Sequence, residues 1–190
     1  MNKTTKAFAL LFTAGLVLAG CGQKQDSTAT TQAQTTAAPT TAAPTTAAPT
    51  TVAQAKTDMP ADAKKTVLEA SDEATKAVMT LYYKDDVLLK QDSVTTYIVS
   101  KMEGENPLET LKNSSAKTEE KLKDFIGKGF EIKTDYKDDV FTITYSFDYT
   151  KLDMQKFKEA IPNLNLRDDN TIDYSQFKEA LIKGGYKEKQ

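Results

Sequence analysis

Residues Thr35 to Thr51 read TTAAPTTAAPTTAAPTT, a five-residue repeat with Pro39, Pro44 and Pro49 in phase. This stretch rules out a single fold running the length of the chain. From Gly22 to Thr51 no residue is aromatic, Ile, Leu or Met. Such a segment has too little apolar surface to offset the entropy of ordering it, and regularly spaced prolines favour extended polyproline II. The 43 residues from Gly22 to Lys64 therefore read as a tether. At ~3.1 Å per residue it reaches about 130 Å, and as a flexible coil it spans about 35–40 Å. Its threonines permit O-glycosylation. A packed domain has to come from residues 65–190.

Ahead of the tether the sequence has the three parts of a secretory leader. Lys3 and Lys6 make a positive start, Ala7 to Val17 is apolar, and Leu18-Ala19-Gly20 places small residues before Cys21. The uncharged run from Ala7 to Gly22 is 16 residues, short of the roughly 20 that span a bilayer. Leu18-Ala19-Gly20-Cys21 resembles the bacterial lipobox. The resemblance implies transfer of a diacylglyceryl group to the Cys21 sulfur, followed by removal of residues 1–20. Cysteine suits this chemistry because its thiolate is a strong nucleophile near neutral pH. Two acyl chains give stable anchoring where one is marginal, at about 0.8 kcal/mol per buried CH₂. The expected organisation is a cleaved leader (1–20), a lipidated Cys21 with its tether (21–64) and a domain (65–190) on the extracytoplasmic face of a bacterial membrane.

Composition narrows the chemistry of that domain. The chain has no His, no Trp and one Cys. With Cys21 carrying lipid, Ser-His-Asp and Cys-His nucleophilic sites are excluded, as are imidazole or thiolate zinc sites. Residues 65–190 hold 20 Lys and Arg against 24 Asp and Glu, interspersed. That pattern is a solvated surface rather than a nucleic-acid footprint.

Periodicity then gives an α+β reading. A first strand is expected at Thr66–Ser71, though Asp58-Met59-Pro60 also offers a helix start. A second strand runs from Lys76 to Tyr83, with Ala77, Met79, Leu81 and Tyr83 on one face. Lys84-Asp85-Asp86 is a turn. A long strand follows from Val87 to Ser100, with a bulge expected near Gln91-Asp92-Ser93. Asn106-Pro107-Leu108-Glu109 predicts a helix start, with Asn as N-cap, Pro at the first position and Glu reaching back. Leu108, Leu111, Ser115, Leu122, Phe125 and Ile126 fall on one helical face, up to the stop at Gly127-Lys128-Gly129. A second hairpin turns at Lys137-Asp138-Asp139. Its return strand alternates Phe141, Ile143, Tyr145, Phe147 and Tyr149 with Thr142, Thr144, Ser146 and Asp148, one face apolar and one wet. Short helices are expected at Asp153–Ile161 and after the capping-box start Asp173-Tyr174-Ser175-Gln176. The sum is an antiparallel sheet of two hairpins, four to five strands, packed on one face by a mid-chain helix and two short C-terminal helices.

Three constellations invite chemical readings. Tyr-Lys-Asp-Asp-Val occurs at Tyr83–Val87 and again at Tyr136–Val140; the pair suits two acidic cation loops, or more simply two hairpin turns. Asp168 to Phe177 has the outline of a calcium loop's second half. The register, however, puts Asn165 at position 1, Arg167 at 3, Asn170 at 6 and Gln176 at 12, where acids, Gly and a bidentate Glu are needed. The capped start of the last helix fits better. The tyrosines, Tyr82, Tyr97, Tyr145 and Tyr149 among them, suit a ligand face or a core. No spacing selects a pair of carboxylates for glycoside hydrolysis, and no motif assigns a catalytic residue, cofactor or metal.

Tyr83-Lys84-Asp85-Asp86-Val87-Leu88-Leu89-Lys90-Gln91-Asp92-Ser93 resembles the YehR-like family of small bacterial lipoproteins, whose members share a Tyr-Lys, an acidic turn and then Val-Leu-Lys-Gln-x-Ser. The likeness extends over residues 65–190 as an order of elements, ending in Gly185-Tyr186-Lys187-Glu188; the Thr/Ala/Pro tether departs from it. The family is one of unknown function, so the resemblance implies an envelope lipoprotein with an α+β domain and assigns no site. The expected role is a lipid-anchored, non-catalytic binding or interaction module. Its partners are the membrane, through Cys21, and an unidentified extracytoplasmic ligand or protein. The alternatives are an acid-based hydrolase of envelope polymers and a structural spacer.

Overall fold

A computed structural model of the chain describes residues 59–189. The leader, Cys21 and the repeat lie outside the described residues. In chain order the elements are β1 (Lys64–Ser71), β2 (Thr75–Lys84), β3 (Val87–Ile98), α1 (Pro107–Lys121), β4 (Phe130–Lys137), β5 (Val140–Asp148), α2 (Met154–Ala160), β6 (Ile172–Asp173), α3 (Tyr174–Lys183) and β7 (Lys187–Glu188). The strands form one sheet in the order β4-β5-β3-β2-β1-β7, with β6 on β3. Every strand pair is antiparallel.

The α+β class and both hairpins agree with the sequence, but the sheet has seven strands rather than four or five. The two extra strands have two residues each. Two residues carry no alternation to read. β6 pairs Ile172 with Leu88, and β7 pairs Glu188 with Leu68, so both exist only as consequences of where the last helix docks.

Alternation holds where a strand is long. On β5, Phe141, Ile143, Tyr145 and Phe147 are buried, and Thr142, Thr144 and Ser146 are half-buried. On β2, Ala77, Met79 and Leu81 are buried. The bulge is displaced from its expected place: Tyr82 pairs with Lys90 and Tyr83 with Leu88, which leaves Leu89 as the extra residue. Leu89 changes the parity of β3, so that Leu88 and Gln91 are both buried.

The core is in two parts. One gathers Phe130, Phe141, Ile143 and Phe147 with Leu111 of α1 and Phe157 of α2. The other gathers Leu68, Met79, Leu81 and Leu88 with Leu181 of α3. Between them runs β3, whose buried Gln91, Ser93 and Thr95 are polar. Gln91 Nε2 and Ser93 Oγ find no hydrogen-bond partner among the described residues, a costly arrangement for buried polar atoms.

α1 begins where expected, with Asn106 at the N-cap and Pro107 inside, yet the Asn106 side chain makes no capping bond. Its carbonyl accepts the first intrahelical bond, from the Thr110 N–H, and also the Thr110 hydroxyl, each at 3.0 Å. The helix stops at Lys121 and gives way to a 3₁₀ turn at Lys123–Phe125. Leu111, Ser115, Leu122 and Phe125 are buried, but Ile126 is 42 % exposed; once the helix has ended, a 3.6-residue period no longer sets its direction. Gly129, at φ +110°, is where β4 starts against the end of β5: a Cβ there would lie 2.7 Å from the Asp148 carbonyl oxygen.

Candidate functional site

Both Tyr-Lys-Asp-Asp-Val copies are hairpin turns. Asp85 and Asp86 have φ of 49° and 63°, and Asp138 and Asp139 have 50° and 67°. Positive φ at both central residues is the type I′ turn that matches strand twist. The first turn leads into Val87 and the second into Val140, which pairs with Ile98. They therefore sit at opposite ends of β3, about 35–40 Å apart for its 12 residues, and form no shared cation site.

Asp86 is the hub of a cluster the sequence did not foresee. Its Oδ1 accepts from the Ser175 N–H at 3.0 Å and from the Ser175 hydroxyl. Its Oδ2 accepts from Arg167 Nη2 at 2.8 Å. Arg167 also donates to Asp173 Oδ2, from Nη2 at 2.7 Å and from Nε at 3.2 Å. Asp173 Oδ1 accepts from the Gln176 N–H at 2.8 Å, completing the expected N-cap of α3. That N–H, and then Arg167, hold the Asp173 carboxyl below the usual carboxylate range. The residue that spoiled the calcium-loop register is thus a cationic pin between a hairpin turn and a helix start.

Next to this pin is a cleft of about 370 Å³. Its floor is Leu88 and the bulged Leu89 with Ile172, one wall is Tyr149, Thr150 and Leu152 to Met154, and the other is Asp169 to Thr171. Leu89 and Tyr149 are tied by a backbone bond of 2.9 Å from the Tyr149 N–H. The Tyr149 hydroxyl donates to Gln91 Oε1 at 3.0 Å, which joins the cleft wall to the polar seam of the core. Burial pushes the Tyr149 phenol well above its ordinary value. The lining is largely apolar, with polar groups at the rim. Asp169 Oδ1 accepts from the Thr171 hydroxyl at 2.6 Å and its N–H at 3.0 Å, and Asp153 caps α2 at the Lys156 N–H. Hydrogen bonding at Thr171 holds Asp169, and at Lys156 holds Asp153, below the usual carboxylate range.

The tyrosines divide. Tyr97 and Tyr145 are core residues, and burial pushes the Tyr97 phenol up to about 12. Tyr82 is on the opposite face of the sheet, where Lys90 Nζ lies 5.6 Å from its ring centre and bonds Asp92 at 2.9 Å. Neither Tyr82 nor Tyr97 lines the cleft; Tyr149 does. Tyr149 was one of several tyrosines that the sequence offers for a ligand face or a core, with nothing in the alternation of β5 to set it apart from Tyr145. The signal that bore on it was the bulge, whose true position at Leu89 creates the floor.

A single antiparallel sheet with helices supplying its two core clusters defines the α+β class. Within that class the chain belongs to the family described as "Protein of unknown function (DUF1307)", which residues 64–187 match. Among solved structures, the NMR structure of the E. coli YehR protein shares 22 % identity, covers 68 % of this chain and 93 % of that one, and gives a TM-score of 0.49. The NMR structure of a protein from Streptococcus pneumoniae TIGR4 shares 17 % identity, covers 80 % of this chain and 100 % of that one, and gives a TM-score of 0.45. No curated protein matches. Among the described residues, no helix is long and apolar enough to cross a membrane.

Proposed function

We propose that this protein is a lipid-anchored binding module of the bacterial envelope, held by Cys21 and the tether, whose domain takes a small, mainly apolar ligand in the Leu88–Met154–Ile172 cleft. The observation that carries the reading is that cleft. At about 370 Å³ it falls in the range of small-molecule sites, about 300–1,000 Å³, and it combines an apolar floor with a few polar rim groups. A hydrolase reading needs a carboxyl held protonated near neutral pH. The two rim carboxyls with shifted titration, Asp153 and Asp169, are shifted the other way.

The binding reading is tested by titrating the full chain with short fatty acids and aryl alcohols and following amide shifts. Perturbations centred on Leu89, Met154 and Thr171, abolished by Met154→Lys, are expected. Shifts scattered over the surface, or none with any probe, sink it. Anchoring is tested separately by growth with labelled palmitate: the native chain should carry label and sediment with membranes, and Cys21→Ser should lose both. Label retained in Cys21→Ser removes the anchor from the proposal.

A further inference from the structure

The sheet has two edges, and they are treated differently. At the β1 edge, β7 covers Leu68 and Glu69, and the Lys189 N–H donates to the Val67 carbonyl at 2.9 Å. At the other edge β4 is outermost, and beyond Phe130 no described strand pairs with it. The turn at Asp138-Asp139 makes Lys137 and Val140 a hydrogen-bonded pair. Asp135, Lys133 and Glu131 then also exchange bonds with β5, and Phe130, Ile132, Thr134 and Tyr136 turn their backbone groups outward. Phe130 verifies this parity, since its carbonyl is taken from outside by the Gly127 N–H at 3.0 Å. The open stretch is therefore Ile132 to Tyr136, and its centre is Thr134.

The side chains of this edge carry a second regularity. Glu131, Lys133, Asp135 and Lys137 are all exposed on one face and alternate in sign. Edge charges commonly block strand addition, but an alternating row is complementary to its own reverse. If a second β4 is laid antiparallel with Thr134 opposite Thr134, Glu131 faces Lys137 and Lys133 faces Asp135, twice each by symmetry. On the other face Ile132 meets Tyr136, which is 43 % exposed in the single chain. A slip of two residues either way sets Lys133 against Lys133 or Asp135 against Asp135, and opposed like charges are destabilising. The register that pairs every charge is also the one centred on the open stretch.

We propose that β4 is a self-association edge, through which two copies of this chain join antiparallel about a two-fold axis at Thr134 and continue one sheet into the other. The contact is isologous, so it closes as a dimer and does not propagate. It contributes about six backbone hydrogen bonds and four cross-strand ion pairs. Within one chain Lys133 Nζ lies 3.6 Å from Glu131, a loose pair that dimerisation exchanges for Asp135 of the second copy. The proposal stands independently of the cleft.

The test is sedimentation of the full chain in detergent micelles, alongside Lys133→Glu and Asp135→Lys. The native chain should show a concentration-dependent dimer. Either reversal alone turns two facing pairs repulsive and should weaken association about tenfold to a hundredfold. An equimolar mixture of the two variants restores opposite charges across the axis and should dimerise like the native chain. Both substitutions are at exposed positions, so melting temperatures that match the native chain's at dilutions where all are monomeric verify the fold. A native chain monomeric at every concentration overturns the proposal. So does a dimer indifferent to both reversals, and so does a mixture that fails to recover.

Discussion

The two Tyr-Lys-Asp-Asp-Val segments are identical in sequence and in backbone, yet their second aspartates do unequal things. Asp86 receives the Ser175 N–H and hydroxyl and the Arg167 guanidinium, so it couples the first hairpin to the start of α3. Among the described residues, the Asp139 carboxylate receives the Ser100 N–H, at 3.1 and 3.2 Å, while its carbonyl takes the Val99 N–H. That joins it to the short 3₁₀ turn after β3, its own neighbour in the sheet. The same five residues thus make one long-range fastener and one local one. The backbone conformation belongs to the segment; the energetic weight belongs to what the tertiary structure brings near it.

Replacing Asp86 should have the largest effect on this contrast. Asp86→Ala removes the acceptor of the Ser175 N–H in the first turn of α3 and leaves Arg167 with one carboxylate. It should cost about 2–3 kcal/mol, a fall of roughly 10 °C in the melting midpoint. A change no greater than that of Asp139→Ala removes the distinction drawn between the turns. The pin also sets an acid limit. Asp173 titrates below the ordinary carboxylate value in the folded chain. Its stabilisation is therefore complete above about pH 4, the range of an unfolded carboxyl, and is lost as pH falls through the lowered folded value. Asp173→Asn should flatten this acid limb in a pH series of melts; a limb of unchanged slope assigns the loss elsewhere. Asp139→Ala should cost about 0.5–1 kcal/mol, readable by urea titration. The smallest effects test what the turns share. Asp85→Gly and Asp138→Gly relieve positive φ without touching either carboxylate hub. Each should stabilise by a few tenths to about 1 kcal/mol, and by similar amounts; a gain at one turn alone means that their backbones are not equivalent.

Legibility followed the length of the pattern. β5, where Val140 to Phe147 alternate in burial and only Asp148 breaks step, and β2, where Lys76 to Tyr82 alternate, were readable because a period of two repeats several times within each. Asp153 and Asp173 were readable as helix starts because an N-cap is a local event, and both accept the expected backbone N–H. β6 and β7 were not, since two residues in extended conformation are defined by partners over 80 residues away. The expected cap at Asn106 is absent: its side chain accepts no first-turn N–H, although Pro107 opens the helix as expected. In the cleft, Asp169-Asn170-Thr171 was visible only within the outline of a calcium loop ahead of the last helix. Its apposition to Leu89 and Tyr149 was not, because it depends on a bulge that no composition rule places.

Local sequence patterns suffice for the α+β class, the two hairpins and the caps at Asp153 and Asp173. They also contain the alternating charges of β4. Those depend on neighbours a few residues apart, where backbone geometry and periodicity suffice. Long-range packing alone sets Arg167 against Asp86 rather than Asp139, runs a polar seam along β3 between two core clusters, and, among the described residues, leaves the β4 edge open while the β1 edge is partly covered. Each of these is a contact between segments far apart in the chain, chosen by the packing of the whole sheet and carried by no local pattern.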